Sequence, residues 1–187
     1  MLNVKSLRVL LALCLGLLGF NSAAQQSDAA SSGEQIYQTA GGYGCKACHG
    51  EFANGGGNVG GNIRGANLQQ LQQALSNEPT MQLLKDNLSK QDQLQLIAYL
   101  QQLGSYQLLE WTLGEQDSHQ KQTIEAKSAQ LVVTNRSFNS AELSLEGLGQ
   151  GQSLVLDPYA SKAVLWLPKP GQYRLQYQQQ IFDIEVR

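Results

Sequence analysis

Residues with thiol, imidazole or thioether side chains are scarce in this chain. Among its 187 residues there are three cysteines, two histidines and two methionines. There is also no basic stripe, and the formal net charge is -2. Proteins that bind nucleic acid concentrate Lys and Arg on one surface, so the composition argues against nucleic acid as a partner. A metal or cofactor site that uses sulfur or imidazole ligands has few residues to draw on.

The N-terminal segment has the layout of a secretory signal peptide, which we predict over residues 1–24. Two basic residues precede an apolar run over 9–20, and small residues follow. The run is shorter than the roughly 20 residues that a membrane-spanning helix needs. We expect cleavage after Ala24 and export, most simply to a bacterial periplasm; an uncleaved membrane anchor is the alternative. Cleavage would remove Cys14 and both basic residues, so 11 basic residues remain beside 15 acidic ones.

Apolar residues change their spacing part-way along the mature chain. Up to about Leu103 they recur at helical intervals, as in Leu68, Leu71 and Leu75. After about Thr123 they alternate with polar residues in short stretches, which is typical of β-strands. We therefore predict two domains, an all-α domain followed by an all-β sandwich. The predicted divisions are a flexible N-terminus at 25–32, the helical domain at 33–105, a linker at 106–122 and the β-sandwich at 123–187.

The last helical segment carries two further signals. Ser89, followed three residues later by Asp92, is typical of a helix N-cap. Beyond it, Leu94, Ile97 and Leu100 fall on one stripe with Tyr99 and Leu103 alongside, which predicts the buried face of the helix.

The stretch GGYGCKACHGEF, residues 41–52, contains the two thiols of the mature chain, Cys45 and Cys48, followed by His49. A local disulfide is one interpretation. A thioredoxin-type redox motif is a second, but it needs a preceding strand and a βαβ setting, which this segment lacks. A zinc site is a third, but it needs about four ligands, and beyond these residues only His119 and carboxylates remain.

Covalent haem is the interpretation that uses all three side chains. In a C-x-x-C-H motif both thiols add to the haem vinyl groups, and the adjacent histidine ligates the iron. We therefore predict one haem c per chain, bound covalently by Cys45 and Cys48, with His49 as an axial ligand of the iron.

Residues 33–103 resemble the class I cytochrome c family. The similar segments are GEQIY (33–37) for the N-terminal helix, GGNIRG (60–65) for the segment after the haem motif and LIAYL (96–100) for the terminal helix. The resemblance implies the cytochrome c fold for the helical domain. It also implies that Gly33 lets the first and last helices cross closely, with Tyr37 and Tyr99 packed at the crossing.

Two positions bear on the axial ligands that the resemblance implies. Gly61 stands where the family usually has a proline, whose carbonyl accepts the N–H of the haem-ligating histidine. A glycine carbonyl can accept the same bond, so we expect Gly61 to orient His49. Met81 is the only methionine besides Met1, and it lies where the ligand methionine of the family usually lies. We expect Met81 to be the second axial ligand, which favours ferrous iron; a core methionine is the alternative.

Four other side chains have both a structural and a functional interpretation. Tyr43 and Arg64 are expected on the surface, and the alternative is haem contact, for Arg64 with a propionate. Trp111 is expected to seal the domain junction, and docking to a partner is the alternative. His119 is expected to be exposed in the linker, and competition with Met81 for the iron is the alternative.

The β part resembles a small cupredoxin-like sandwich, with an early strand ending at Asn135 and a Pro170-Gly171 turn before the last two strands. An immunoglobulin-like sandwich is the alternative. Cupredoxins bind copper through two histidines, a cysteine and usually a methionine, and none of these follows Thr123. Ligand chemistry therefore excludes a blue-copper site, and we expect no copper. The aromatic residues expected in the core are Trp166, Tyr173, Tyr177 and Phe182.

Together these features predict a periplasmic electron-transfer protein, and not an enzyme. One electron enters and leaves at the exposed haem edge, and the β domain docks the carrier to a protein redox partner such as a reductase, an oxidase or a membrane complex. No small-molecule substrate is evident. The alternatives are a haem-based sensor or haem enzyme with a labile sixth ligand, and an interaction or assembly module with a structural haem.

Overall fold

The structure is a computed structural model that describes residues 21–56, 59–114 and 119–187, with side chains from Asp28 onward. Most of the predicted signal peptide, residues 1–20, lies outside the described residues. The described chain divides into two compact units. Unit 1 consists of residues 21–45 and 66–101, and unit 2 of residues 46–65 and 102–187.

Five α-helices lie within the described residues. They are α1 (Asn21–Thr39), α2 (Lys46–His49), α3 (Leu68–Asn77), α4 (Pro79–Gln82) and α5 (Lys90–Ser105). Short 3-10 turns occur at Ala40–Gly42, Lys85–Asn87 and Glu146–Leu148. Among the described residues, no helix is long and apolar enough to cross a lipid bilayer.

Helix α1 begins earlier than the sequence predicts. Residues 25–32 were expected to be flexible, but they belong to α1, so that prediction is wrong. The segment contains two alanines and two glutamines, and no glycine or proline interrupts it before Gly33, so its intrinsic propensity permits a helix. Ala30 is buried, which adds tertiary packing to that propensity.

The predicted crossing of α1 and α5 is present in unit 1. A Cβ atom at Gly33 would lie 2.0 Å from the carbonyl oxygen of Gln95, a distance that only glycine tolerates. Tyr37 is fully buried, and its ring centroid lies 5.5 Å from that of Tyr99 in a tilted arrangement. Such tilted aromatic pairs add to the stabilisation from burial alone. The structure thus confirms the roles of Gly33, Tyr37 and Tyr99 in the helix crossing.

The start of α5 is capped as its sequence predicts, but its buried stripe is shifted. Asp92 N–H donates to Ser89 Oγ at 3.1 Å, and Ser89 N–H donates to Asp92 Oδ2 at 2.9 Å. Leu94, expected in the stripe, is 52% exposed, so that assignment is wrong. The buried positions follow the spacing i, i+3, i+4 and i+7 of a helix face. They are Leu96, Tyr99, Leu100 and Leu103.

The greater part of unit 2, from β1 to β8, is β-sandwich-like. Its strands are β1 (Gln107–Leu113), β2 (His119–Ile124), β3 (Ala129–Asn135), β4 (Ala141–Ser144), β5 (Ser153–Leu156), β6 (Ser161–Trp166), β7 (Gly171–Tyr177) and β8 (Gln180–Val186). They form sheets in the orders β1-β3-β6, β2-β8-β7 and β4-β5. Strand β1 pairs in parallel with β3, and β2 pairs in parallel with β8.

The segment expected as a linker, 106–122, contains β1 and the start of β2, so the linker assignment is wrong over these strands. Leu109, Trp111 and Leu113 alternate along β1 and are completely or almost completely buried. The period-two pattern of the β part therefore begins directly after α5, before the polar segment that marks the predicted boundary.

Inward-facing residues of the strands form one apolar core in unit 2. Trp166 and Phe182 are buried in it, while Tyr173 and Tyr177 are partly buried against it. These four aromatic residues thus occupy the core as expected. Trp111 belongs to the same core, 5.7 Å from Phe182 between ring centroids, so the structure places it inside the β part and corrects its assignment to a domain junction.

Candidate functional site

The first thiol of the C-x-x-C-H motif lies at the end of unit 1. Cys45 is buried, and its backbone N–H donates to the carbonyl of Tyr37 at 2.8 Å. The turn before it requires Gly44, which has φ of 72° and whose absent Cβ would lie 2.4 Å from the same carbonyl oxygen. The buried Tyr37 of the helix crossing therefore also fixes the backbone of Cys45.

The other two motif residues lie in α2, in unit 2. Cys48 and His49 are half-buried. Helix α2 ends at His49, and the next residue, Gly50, has a φ of 81°, which is typical of a glycine that stops a helix.

A hydrogen bond to Gly61, the acceptor that the sequence predicts, sets the orientation of the His49 ring. Its Nδ1–H donates to the carbonyl oxygen of Gly61 at 2.9 Å. A carbonyl oxygen only accepts, so Nδ1 carries the proton in this bond and Nε2 of the neutral ring carries the lone pair. Metal-binding histidines are commonly oriented by such a bond from the other ring nitrogen. The expected hydrogen bond between His49 and the Gly61 carbonyl is thus present.

The neighbouring Gly60 lies so close to the His49 ring that its position leaves no room for a side chain. Its N–H donates to the Cys48 carbonyl at 2.8 Å. A Cβ at Gly60 would lie 2.5 Å from His49 Nδ1, whereas a Cβ at Gly61 would have no atom within 4 Å. Sequence analysis drew attention to Gly61 and missed Gly60; the paired glycines of GGNIRG are the signal that could have indicated it.

Residues 50–56 and 59–65, here together called the His49 loop, fold back on α2 through backbone hydrogen bonds. Gly55 N–H donates to the His49 carbonyl at 2.9 Å, and Ile63 N–H donates to the Ala53 carbonyl at 2.9 Å. Asn54 and Asn62 form an isolated antiparallel bridge. The two ends of the described loop are thereby linked to each other and to the motif histidine.

Arg64 is held by protein groups at the end of this loop. Its Nη1 donates to the Phe52 carbonyl at 3.2 Å and to Gln130 Oε1 at 2.5 Å, and its Nη2 donates to the Leu103 carbonyl at 2.5 Å. The side chain is partly buried, so its assignment as a surface residue is wrong. Tyr43, by contrast, is 68% exposed, as the sequence analysis expects.

Met81 lies in the four-residue helix α4, in unit 1, and is half-buried. Its carbonyl accepts the N–H of Leu84 at 3.0 Å. Met81 and His49 belong to different compact units, and ligation by Met81 stays a prediction.

His119 lies at the start of β2 and not in a linker, although it is exposed as expected. Its Nε2 lies 2.6 Å from Asp183 Oδ2. Arg174 donates to both oxygens of the same carboxylate, at 2.7 and 3.0 Å. The hydrogen bond from Arg174, together with that from His119, holds the pKa of Asp183 far below its usual range. His119 is therefore part of a charged surface cluster on the β part.

Comparisons with known proteins give limited information. No protein-family model matches the chain, and no curated protein matches it. Similar solved structures include three of amicyanin, namely the Cu(I) forms of two methionine-to-alanine mutants and the oxidised state of a proline-to-alanine mutant. Each is 9% identical with a TM-score of 0.33, and the match covers 44% of this chain and 82% or 83% of amicyanin.

The likeness to amicyanin lies in the β part and is weak. Amicyanin appears in these structures as a copper protein. Within the part of the chain that the structure describes, no three His, Cys, Asp or Glu side chains are grouped so that they could hold a metal ion.

Proposed function

We propose that this protein is a periplasmic electron carrier with one covalently bound haem c. The observation that carries the proposal is the hydrogen bond from His49 Nδ1–H to the Gly61 carbonyl, 2.9 Å long. It directs the histidine that follows the C-x-x-C motif to offer Nε2 as a ligand. The motif also supplies two thiols, Cys45 and Cys48, before this histidine, so the side chains present fit the group that the motif implies.

The helix crossing in unit 1 supports the same proposal. The resemblance to class I cytochromes c implies a close crossing of the first and last helices at a glycine, with aromatic packing beside it. Gly33 lies against Gln95, and Tyr37 packs on Tyr99. The cytochrome c fold for the helical part remains part of the proposal, and these contacts are the features that favour it.

Each residue of the proposed site has a separate role. Cys45 and Cys48 would hold the haem through thioethers, each formed by adding an S–H bond across a vinyl group, which needs no external oxidant or reductant. His49 would ligate the iron through Nε2, while Gly61 holds the opposite ring nitrogen. Met81 would supply its thioether sulfur as a second iron ligand. The bound haem would accept and release one electron.

The cellular location and partners belong to the same proposal. A cleaved leader places the mature protein in the periplasm, and the partners are protein donors and acceptors of single electrons. The chain is proposed as a carrier and not as an enzyme. The β part, without thiol, imidazole or thioether side chains after Thr123, is proposed to bind proteins and not copper.

The test is expression of the full chain with the haem-attachment machinery, followed by haem staining after denaturing electrophoresis. We expect staining in the wild type and its loss in Cys45→Ala/Cys48→Ala. His49→Ala keeps both thiols, and we expect altered iron ligation in any haem that it carries. An unstained wild-type chain would refute the proposal.

A second comparison tests the axial methionine. The visible spectrum of the ferric wild type should show the weak far-red band of a methionine–iron bond, and Met81→Ala should lack it. Leu83→Ala, an exposed neighbour, is the matched control and should keep the band. Absence of the band with ready carbon monoxide binding would favour a haem-based sensor or enzyme over an electron carrier.

A further inference from the structure

Strand β3 is buried on both of its faces. Leu131 and Val133, on the inner face, are completely buried in the core of the β part. On the outer face, Gln130 is 7% exposed and Val132 is 2% exposed. A strand of a sandwich normally has one face toward solvent, so the outer face of β3 requires a covering element.

The His49 loop makes polar contacts with this outer face at two points. The register pairs Leu108 with Gln130 and Glu110 with Val132, so Glu110 and Gln130 project from the same side of the parallel β1–β3 pair. Asn54 Nδ2 donates to Glu110 Oε1 at 2.7 Å, and Arg64 Nη1 donates to Gln130 Oε1 at 2.5 Å. The early and late parts of the loop are thus attached to adjacent strands.

Close backbone packing fixes the late end of the loop as well. Gly65 lies against Gly104, where a Cβ on Gly104 would be only 2.4 Å from the Gly65 Cα. The guanidinium of Arg64 also donates to the Leu103 carbonyl, one of the last carbonyls of α5, which have no acceptor role within the helix. Hydrogen bonds from a charged donor to such groups are stronger than neutral ones.

The attachment continues to His49 through the loop itself. Arg64 is three residues from Gly61, the acceptor for His49 Nδ1–H. Between them, Ile63 N–H is bonded to Ala53 and Asn62 is bridged to Asn54. A displacement of Arg64 therefore moves a short, hydrogen-bonded segment that includes the Gly61 carbonyl.

We propose that the outer face of the β1–β3 pair orients His49, and that Arg64 and Gln130 are positioning residues for this histidine. The β part then does more than bind partners, because its sheet fixes the loop whose Gly61 carbonyl accepts the His49 hydrogen bond. The consequence for iron ligation rests on the proposed function, whereas the consequence for the loop holds with or without haem.

The experiment uses the full mature chain and measures two quantities. The first is hydrogen exchange of the Gly55, Gly60 and Ile63 amides, whose acceptors lie in the loop and α2. In Arg64→Gln and Gln130→Leu we expect these amides to exchange about tenfold faster, the effect of losing one buried hydrogen bond. Gln130→Glu retains an acceptor for Arg64 and should keep wild-type protection.

The second quantity is the reduction potential of the haem-loaded chain. The bond to Gly61 makes His49 a more basic ligand, which favours ferric iron. In Arg64→Gln and Gln130→Leu the potential should rise, so that the ferrous-to-ferric ratio at the wild-type midpoint increases about threefold or more. Gln130→Glu should keep the wild-type potential. A purely structural role would lower stability without changing the potential.

Arg174→Gln is the matched control, because it makes the same substitution in an exposed ion pair of the β2-β8-β7 sheet. This variant should change neither the exchange rates of the three amides nor the reduction potential. Wild-type exchange rates at the three amides in both Arg64→Gln and Gln130→Leu would overturn the proposal. If Arg64→Gln does not fold, Gln130→Leu decides alone. If the wild type carries no haem, the proposed function fails, and the exchange rates still decide whether the sheet holds the loop.

Discussion

The helix crossing of unit 1 and the His49 loop of unit 2 both depend on a glycine, but they are held by different forces. At the crossing, Gly33 admits close contact, and the buried rings of Tyr37 and Tyr99 supply apolar packing. At the loop, Gly60 admits the chain to His49, and hydrogen bonds supply the rest. Apolar packing is insensitive to small rotations, whereas hydrogen bonds fix direction. The crossing therefore stabilises the fold of unit 1, and the loop orients the His49 ring.

Removing the aromatic packing should have the largest effect on stability. Tyr37→Ala deletes a fully buried ring and should lower the free energy of unfolding by about 3–5 kcal/mol, because the cavity cannot be filled by its neighbours. The measurement is urea unfolding of the full chain. Tyr43→Ala removes a ring that is 68% exposed and serves as the control, with an effect within about 0.5 kcal/mol. Equal losses in the two variants would contradict the assignment of the crossing.

A methyl group placed between the helices should have the next largest effect. In Gly33→Ala the new Cβ meets the Gln95 backbone at 2.0 Å, so the helices must separate, at a cost of about 1–3 kcal/mol. Thermal unfolding measures this cost. Gly151→Ala adds the same methyl group where no atom lies within 4 Å and should be nearly neutral. An unchanged Gly33→Ala variant would show that the helices do not cross at this residue.

The corresponding change in the loop should alter orientation more than stability. Gly60→Ala brings a methyl carbon within 2.5 Å of His49 Nδ1 and should break the bond to Gly61, with a stability loss of about 1–2 kcal/mol. Nitrogen chemical shifts of the His49 ring report which nitrogen carries the proton. We expect a mixture of tautomers in Gly60→Ala and the wild-type tautomer in Gly61→Ala, the adjacent control. A mixture of tautomers in Gly61→Ala, with the wild-type tautomer in Gly60→Ala, would show that Gly61 and not Gly60 is the position that leaves no room for a side chain.

The smallest effect is expected at the surface cluster of Asp183, outside both regions. Hydrogen bonds from Arg174 and His119 lower the pKa of Asp183. A carboxyl whose pKa is lower in the folded state stabilises the fold above its unfolded pKa of about 3.9. That stabilisation is lost as the pH falls through the folded pKa.

Between about pH 6 and about pH 2, the wild type should therefore lose more stability than Asp183→Asn. The difference in stability loss between the two proteins should be modest, because the Arg174–Asp183 ion pair lies on a solvated face. Unfolding midpoints at the two pH values measure it, with Asp157→Asn as the control. A steeper loss in Asp183→Asn than in the wild type would reverse the expected sign.

Local patterns were sufficient to predict much of the helical unit. The Ser89–Asp92 cap spans four residues, and Gly33 and Tyr37 lie one helical turn apart, so each signal is contained in a short window. The error at Leu94 has a local cause too, because α5 contains two overlapping apolar stripes and only tertiary packing selects the one through Leu96. Strand β1 was missed because it follows α5 closely, and its residues were assigned together with the polar segment after them to one linker.

The polar contacts of the His49 loop were not predictable in the same way. Arg64 and Gln130 are 66 residues apart, and Asn54 and Glu110 are 56 residues apart. No spacing rule relates such pairs, and an arginine in a polar loop is most often solvated. The bond from His49 to Gly61 was predictable only because the family resemblance named the acceptor position.

The interleaving of the two units along the chain has a consequence for biosynthesis. The His49 loop is translated before β1 and β3, and 70 residues separate Gly65 from Asn135. At about 5–20 residues per second, the loop waits roughly 4–14 s for the strands that hold it. The hydrogen bond between Arg64 and Gln130 can therefore form only after β3 has been completed, so attachment of the loop to the sheet is a late event in the formation of unit 2.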